Sequence, residues 1–360
     1  MTKSEFQIDG VNVGGEAPVY FIADIAANHD GSLERAKELI WLAKEAGADA
    51  AKFQHFQASK IVSNFGFKDL KDSESHQANW KKSVIEVYEE ASVPPDWTSE
   101  LKRECNDAKI SFLSTPYDFE SVDLIDPFVS AFKIGSGDID WLELIDYVAE
   151  KGKPVILATG ASTENDVIRA VELLQIKNVT TAILQCNTNY TASLDNFKHL
   201  NLRVLETFKK RWPTLVVGLS DHTRGVASVL ASVALGAKII ERHFTDDITR
   251  EGPDHKFATS PSEWAVMVEE TRRVELALGS YKKVIADNEK MSSVVQRRCL
   301  RASRDLARGT ILMRKDIDVL RPATNSAIKP PDLSKVIGAT LTEDIRCGEE
   351  LRWSVIKTEP

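Results

Sequence analysis

The fold is decided between Val216 and His255, a stretch that reads VVGLSDHT (216–223), a helical segment, IIERHF (239–244) and then REGPDH (250–255). Each apolar run ends in polar residues, Ser/Asp/His in the first and Glu/Arg/His in the second. Buried strands read this way when their last residues emerge into a polar pocket. The segment between them, Gly225 to Gly236, has the length of a parallel crossover helix. His222 and His243 are therefore expected at corresponding ends of neighbouring strands, where two imidazoles can converge on a cation. Ser220, Asp221 and Asp254 stand nearby in sequence. A hydrogen-bonded structural role is the alternative for each ring.

The same rhythm extends upstream. Short apolar runs at Val19–Asp24, Ala50–Gln54, Ser111–Ser114, Ala131–Ile134, Val155–Ala158 and Thr181–Gln185 precede the two already named, and each is followed by a helical pattern. Ser32 reads as the cap of a helix with Leu33, Ala36, Leu39, Ile40 and Ala43 on one face, and another helix begins at Asp96 after Pro94-Pro95. Eight such units predict an α/β chain folded as a (β/α)8 TIM barrel, with functional residues at the carboxyl ends of the strands. An open doubly wound sheet would show a glycine-rich turn after its first strand, and Ile25–His29 is not one. Before the barrel, Phe6–Val13 alternates around Asp9-Gly10, a hairpin expected to close the barrel's bottom.

The barrel is expected to occupy residues 1–282, a polar and basic linker 283–298, and a small, mostly β domain 299–360. That tail carries a weak duplication. ASRDLARGTILMRKDI recurs in outline as LTEDIRCGEELRWSVI, each copy a D-[LI]-x-x-G turn leading into an apolar segment.

Composition sets outer limits. A net charge of −8 argues against nucleic acid or an anionic membrane as partner. Cys105, Cys186, Cys299 and Cys347 show no CxxC spacing, so neither a zinc site nor a disulfide framework is indicated. No apolar run approaches membrane-spanning length, and MTKSEFQIDG lacks the apolar core of a signal peptide. A cytoplasmic setting is the expectation.

At the strand ends stand Asp24, Asn28, His29, Lys52, Gln54, Thr115, Lys133, Ser136, Asp138, Thr159, Thr188, Tyr190, Ser220, His222, Glu241 and His243. Lys52 and Lys133 end buried strands and are costly to desolvate without a partner. Either they form internal salt bridges, Asp24 being one candidate, or they face a common anion. With the hydroxyls of Thr115, Ser136 and Ser220, and backbone N–H groups of the Gly135-Ser-Gly137 turn, they would make a phosphate or carboxylate cradle. A metal beside such a cradle serves either hydrolysis or activation of a carbonyl toward a carbon nucleophile. The pair of histidines leans toward condensation.

These residues also carry a family resemblance. IADIAANHDGS, AGADAAKFQ, FLSTPYD, FKIGSGD, LQCNTNY, VGLSDHT, ALGAKIIERHFT and GPDHKF, in that order, resemble the sialic acid synthases, including the legionaminic and pseudaminic acid synthases. ASRDLARGTIL, VLRPATNSAI and VIGATLTEDI resemble their antifreeze-like SAF domain. The resemblance implies condensation of phosphoenolpyruvate with the open-chain aldehyde of an N-acetylated hexosamine, with release of phosphate by C–O cleavage. It implies a divalent cation, typically Mn2+ with Mg2+ or Co2+ as alternatives, on His222 and His243. Phosphoenolpyruvate would lie on Lys52, Thr115, Lys133, Ser136, Thr188 and Ser220, with Asn79 as a further contact. Gln54, Asp138, Tyr190 and Asp254 would meet the acceptor sugar, and Asp24 would handle a proton or the added water. Arg321 would reach from the SAF domain into the partner's barrel in a domain-swapped homodimer.

Four departures fall on the acceptor side. Asp24 and Asp138 are each one methylene shorter than the usual glutamate. Thr191 follows Tyr190 where proline is common, and the RPGxG pattern reads Arg321-Pro-Ala-Thr-Asn. Shortened carboxylates retract their oxygens by roughly an ångström, enough to weaken a hydrogen bond or admit a larger group. The expected acceptor is a diamino-dideoxy or otherwise substituted sugar, with plain N-acetylmannosamine as the alternative.

Overall fold

A computed structural model describes residues 4–69, 77, 80 and 82–358. The chain divides into two compact units, Met1–Gly279 and Ser280–Pro360. In the first, a hairpin of β1 (Glu5–Ile8) and β2 (Val11–Gly14) precedes eight strands: β3 (Tyr20–Asp24), β4 (Ala50–His55), β5 (Ser111–Pro116), β6 (Phe132–Ile134), β7 (Val155–Ala158), β8 (Thr181–Cys186), β9 (Val216–Asp221) and β10 (Ile239–His243). These eight close into a barrel in chain order, β10 pairing with β3, and every pairing is parallel. The TIM barrel expected from the apolar rhythm is the observed architecture.

Strand parity separates two cores. Outward residues such as Phe21, Ala51, Phe53, Phe112, Phe132, Leu157, Leu219 and Ile240 pack on Leu39, Ile40, Leu101, Leu144 and Val229 of the surrounding helices. Inward residues Tyr20, Ile22, Ala50, Leu113, Ile156, Leu184, Val216 and Ile239 fill the lower barrel together with Ile8 and Val13 of the hairpin. The hairpin therefore plugs the amino-terminal end, and the opposite mouth is left for polar side chains. Gly218 must be glycine, since a Cβ there would lie 2.5 Å from the Ile239 carbonyl and from Leu184.

Local signals set the helix starts. Ser32 accepts from Arg35 N–H at 3.3 Å, Asp118 from Ser121 N–H at 2.8 Å, and Ser260 caps Pro261–Leu278 with proline at its first turn. Each cap satisfies a backbone donor that the helix itself cannot pair.

The second unit is mostly β. Strands β11 (Cys299–Ala302) and β12 (Ile317–Leu320) pair antiparallel, as do β13 (Thr340–Leu341) and β14 (Ile356–Lys357). The sequence duplication has a structural counterpart. Leu306 and Ile345 exchange backbone hydrogen bonds of 2.8 and 2.9 Å. The Asp305 carboxylate accepts from Cys347 N–H, and that of Asp344 from Arg308 N–H, both at 2.7 Å. Each copy's aspartate thus ties down the other copy's turn.

Candidate active site

Period-two alternation puts one set of side chains inside the barrel mouth. Asp24, Lys52, Gln54, Thr115, Lys133, Cys186, Ser220, His222, Glu241 and His243 line a cavity of about 360 Å3 together with Ser136, Asp138 and Tyr190. A smaller cavity of about 150 Å3 adjoins it, lined by Gln54, Tyr190, His243 and Asp254 and walled by Phe56, Trp80, Tyr88 and Tyr117. Phe56 and Tyr117 directly follow β4 and β5, Trp80 lies in the stretch after β4, and Tyr88 stands on a helix, Val84–Ala91, that Ser83 caps.

The two lysines are buried and paired with carboxylates. Lys52 Nζ lies 2.7 Å from Asp24 Oδ2, 3.4 Å from Glu241 Oε1 and 3.3 Å from Thr115 Oγ1. Lys133 Nζ lies 3.2 Å from Glu241 Oε2. The internal salt bridge with Asp24, one of the two readings of Lys52, is present. Glu241 supplies a second carboxylate that spans both ammonium groups. Burial disfavours the charge on Lys52, but Asp24 and Glu241 outweigh it and hold the ammonium above its ordinary value. Burial likewise opposes the Glu241 carboxylate, and Lys133 and Lys52 overcome it, drawing its pKa down to about 2. Ser136 Oγ accepts from Gly160 N–H at 2.9 Å, an approach that glycine permits, since a Cβ there would meet Thr188 at 2.6 Å.

The imidazoles of His222 and His243 sit with ring centroids 5.5 Å apart. His222 Nδ1 donates to the Asn187 carbonyl at 3.0 Å, which leaves the Nε2 lone pair for another partner. On His243, Nδ1 is buried without a hydrogen bond, 3.7 Å from Asp254 Oδ2, and Nε2 is 3.8 Å from Asp24 Oδ2. Burial pushes the His243 pKa down to about 3, so the ring is neutral, the form that ligates a metal. Asp24 Oδ1 is also buried and unpartnered. Two adjacent imidazoles, orphaned buried polar atoms and flanking carboxylates fit a divalent cation. Among the described residues, no larger group of His, Cys, Asp and Glu gathers as a metal cluster.

Toward the acceptor side, Gln54 Nε2 donates to Asp24 Oδ2 at 3.3 Å. The Tyr190 ring packs edge-on against His222, with centroids 4.6 Å apart. Burial raises the Asp138 pKa to about 6, with Lys133 opposing the rise.

Several expected residues stand elsewhere. Asp221 faces outward, where Thr223 and Ser228 donate to it and Arg242 approaches to 3.5 Å. Asn28 donates to the Phe244 carbonyl, and Thr159 to that of Leu184. His29 is buried, its Nδ1 accepting from Gly31 N–H. These four are fold-forming contacts. Thr188 borders Gly160 and does not line either cavity. Asn79 lies outside the described residues. Arg321 is exposed in the second unit.

The arrangement agrees with comparisons to known proteins. Residues 39–283 match the NeuB family and residues 297–357 the SAF domain. The chain belongs to the NeuB family. It is 33% identical to the N,N'-diacetyllegionaminic acid synthase of Legionella pneumophila over 98% of this chain and 99% of that one. The human N-acetylneuraminate-9-phosphate synthase is 33% identical over 94% of each chain. Among solved structures, the N-acetylneuraminic acid synthetase of Leptospira borgpetersenii superposes with a TM-score of 0.70 at 28% identity, covering 81% of this chain and 95% of that one. As a NeuB protein, the chain presents its strand-end residues in a barrel of the kind its relatives share.

Proposed function

We propose that this NeuB-family chain condenses phosphoenolpyruvate with the open-chain aldehyde of an N-acetylated amino sugar and releases inorganic phosphate. The observation that carries this reading is the buried pair Lys52 and Lys133 inside one cavity with the His222–His243 pair. Relatives named as synthases support it and do not favour a metal-dependent hydrolase.

In this reading Lys52, Lys133, Thr115, Ser136 and Ser220 hold the phosphate and carboxylate of phosphoenolpyruvate, with Asn79 as a further contact. Fixing both anionic ends aims the methylene carbon at the aldehyde and stabilises the departing phosphate. His222 and His243 would hold the divalent cation, Mn2+ first, with Mg2+ and Co2+ as the other candidates. When bound, the cation supplies Lewis acidity toward the aldehyde oxygen. Gln54, Asp138, Tyr190 and Asp254 orient the sugar. Asp24 serves the proton of the water that adds at the second carbon of phosphoenolpyruvate.

The acceptor is a diamino-dideoxy sugar in this reading. The shortened carboxylates Asp24 and Asp138 and the aromatic wall of Phe56, Trp80, Tyr88 and Tyr117 support it, since acetamido and methyl groups pack well on aromatic faces. A panel of acceptors with purified protein tests it: turnover of N-acetylmannosamine equal to or above that of 2,4-diacetamido sugars would end the assignment.

The working unit is a domain-swapped homodimer in which Arg321 enters the partner's barrel, with residues 283–298 as the linker. Exposed Tyr281, Val284 and Met291 of the second unit support an apolar partner surface. No helix among the described residues is long and apolar enough to cross a membrane. Four free cysteines, three of them buried, support a reducing, cytoplasmic setting.

A further inference from the structure

One network at the barrel mouth is not used by the proposed reaction. His255 is fully buried, and both ring nitrogens are engaged: Nε2 with Asp30 Oδ1 and Nδ1 with Thr245 Oγ1, each at 2.8 Å. The other oxygen of Asp30 lies 2.7 Å from Arg250 Nη2 and 3.2 Å from Arg35 Nε. Arg35 in turn donates from Nη1 to Asp246 Oδ2 at 2.8 Å. The loop after β10 is thereby pinned at Asp246, Arg250 and His255 to the segment after β3. Gly252 lies flush on the His255 ring, where a Cβ would come within 2.6 Å of Cδ2.

Asp254 sits between two of these anchors. Its Oδ2 accepts from Ala27 N–H at 3.2 Å and lies 3.7 Å from His243 Nδ1, so the carboxylate projects into the mouth from a short, doubly tethered piece of chain. With Arg250 and His255 held, Asp254 has little room to retreat. Release of either tether would let the carboxylate swing away while leaving Lys52 and Lys133, on separate strands, where they are.

We propose that Asp30 and His255 are positioning residues that fix Asp254 at the acceptor end and so set sugar binding without touching the sugar. This rests on the reading of Asp254 as an acceptor contact. The test compares the full-length chain with D254N, H255A, D30A and the double variant D254N/H255A, using N-acetylmannosamine and a 2,4-diacetamido-2,4,6-trideoxy sugar as probes.

H255A and D30A are expected to raise the acceptor KM about tenfold while the phosphoenolpyruvate KM stays within about twofold, as for a misplaced orienting group. The double variant is expected to be no worse than D254N alone, because two residues acting through one carboxylate are not additive. Equal rises in both KM values, or an additive double variant, would overturn the proposal and leave Asp254 as a contact. An unchanged acceptor KM in D254N would overturn the assignment of Asp254, and the proposal with it. Should H255A fold poorly, D30A reads the same network from its other side.

Discussion

Glu241 Oε2 lies 3.2 Å from Lys133 Nζ, with both side chains buried beneath the barrel mouth. The same carboxylate reaches Lys52 at 3.4 Å, so two ammonium groups share one counter-charge. Removing one partner of a buried pair leaves an uncompensated charge. K133M should therefore destabilise the protein by about 3 kcal/mol, toward the low end for such changes because Lys52 still faces Glu241. The double variant K133M/E241Q should lose less than the sum of its singles. Urea unfolding of the four proteins checks this, and strict additivity would show that the two groups do not interact.

The lysines also bear on substrate. If they hold the anions of phosphoenolpyruvate, K52M and K133M should each lower kcat/KM by about 10- to 150-fold, the loss of a charge-assisted hydrogen bond of ~1.5–3 kcal/mol. Steady-state kinetics with phosphoenolpyruvate varied read this directly. An unchanged kcat/KM in both variants would remove the anion cradle from the account.

Metal affinity separates His222 and His243 from structural histidines. H222A and H243A should each weaken Mn2+ binding by more than about 100-fold, beyond the 10- to 100-fold seen when only an outer partner of a ligand is lost. Titration followed by Mn2+ electron paramagnetic resonance measures binding without recourse to turnover. Retained affinity in either variant would contradict the pair.

Asp138 gives the acceptor side a pH signature. Burial raises its pKa to about 6, so the carboxylate proposed to accept from sugar hydroxyls is present above that pH and lost below it. The acceptor KM should fall as pH rises through about 6, and D138N should flatten that step. Stability moves the other way. The folded pKa exceeds the unfolded value of 3.8, so the native state binds the extra proton, and stability contributed by this group is present below pH 3.8 and lost as pH rises toward 6. Melting temperatures of D138N across that window should lack the decline.

The proposed swapped dimer predicts complementation. A mixture of the impaired R321A and K52M chains, refolded or co-expressed, should rise above either variant alone to about a quarter of wild-type activity, since one intact site forms in each mixed two-fold dimer. Silence of the mixture, with mixed dimers demonstrated, would place Arg321 in its own barrel or outside the site.

Much of the site was legible because strand parity is a sequence property. Lys52 and Gln54, or His222 two residues beyond Ser220, share a face at any register, and eight apolar runs with crossovers leave few ways to arrange that face. Parity also explains a miss. Asp221, adjacent to His222 in sequence, had to point outward, toward Arg242 and the helix that follows. Glu241, two residues before His243, had to point inward, yet its position between two lysines depends on side chains from three different strands. The aromatic wall takes Phe56, Trp80 and Tyr117 from loops, whose course is set by tertiary packing rather than by periodicity, and Tyr88 from the helix Val84–Ala91. The reciprocal Asp305 and Asp344 bonds had a visible trace, the repeated D-[LI]-x-x-G unit, but the trace did not say that each copy would cap the other.

The central claim, bond formation to carbon with loss of phosphate from an enol, is tested by the fate of one oxygen. Phosphoenolpyruvate labelled with 18O at its C–O–P bridge should transfer that label to the released phosphate, and only when chain, acceptor sugar and Mn2+ are all present. Phosphate that appears unlabelled, or that appears at the same rate without any sugar, would contradict the account.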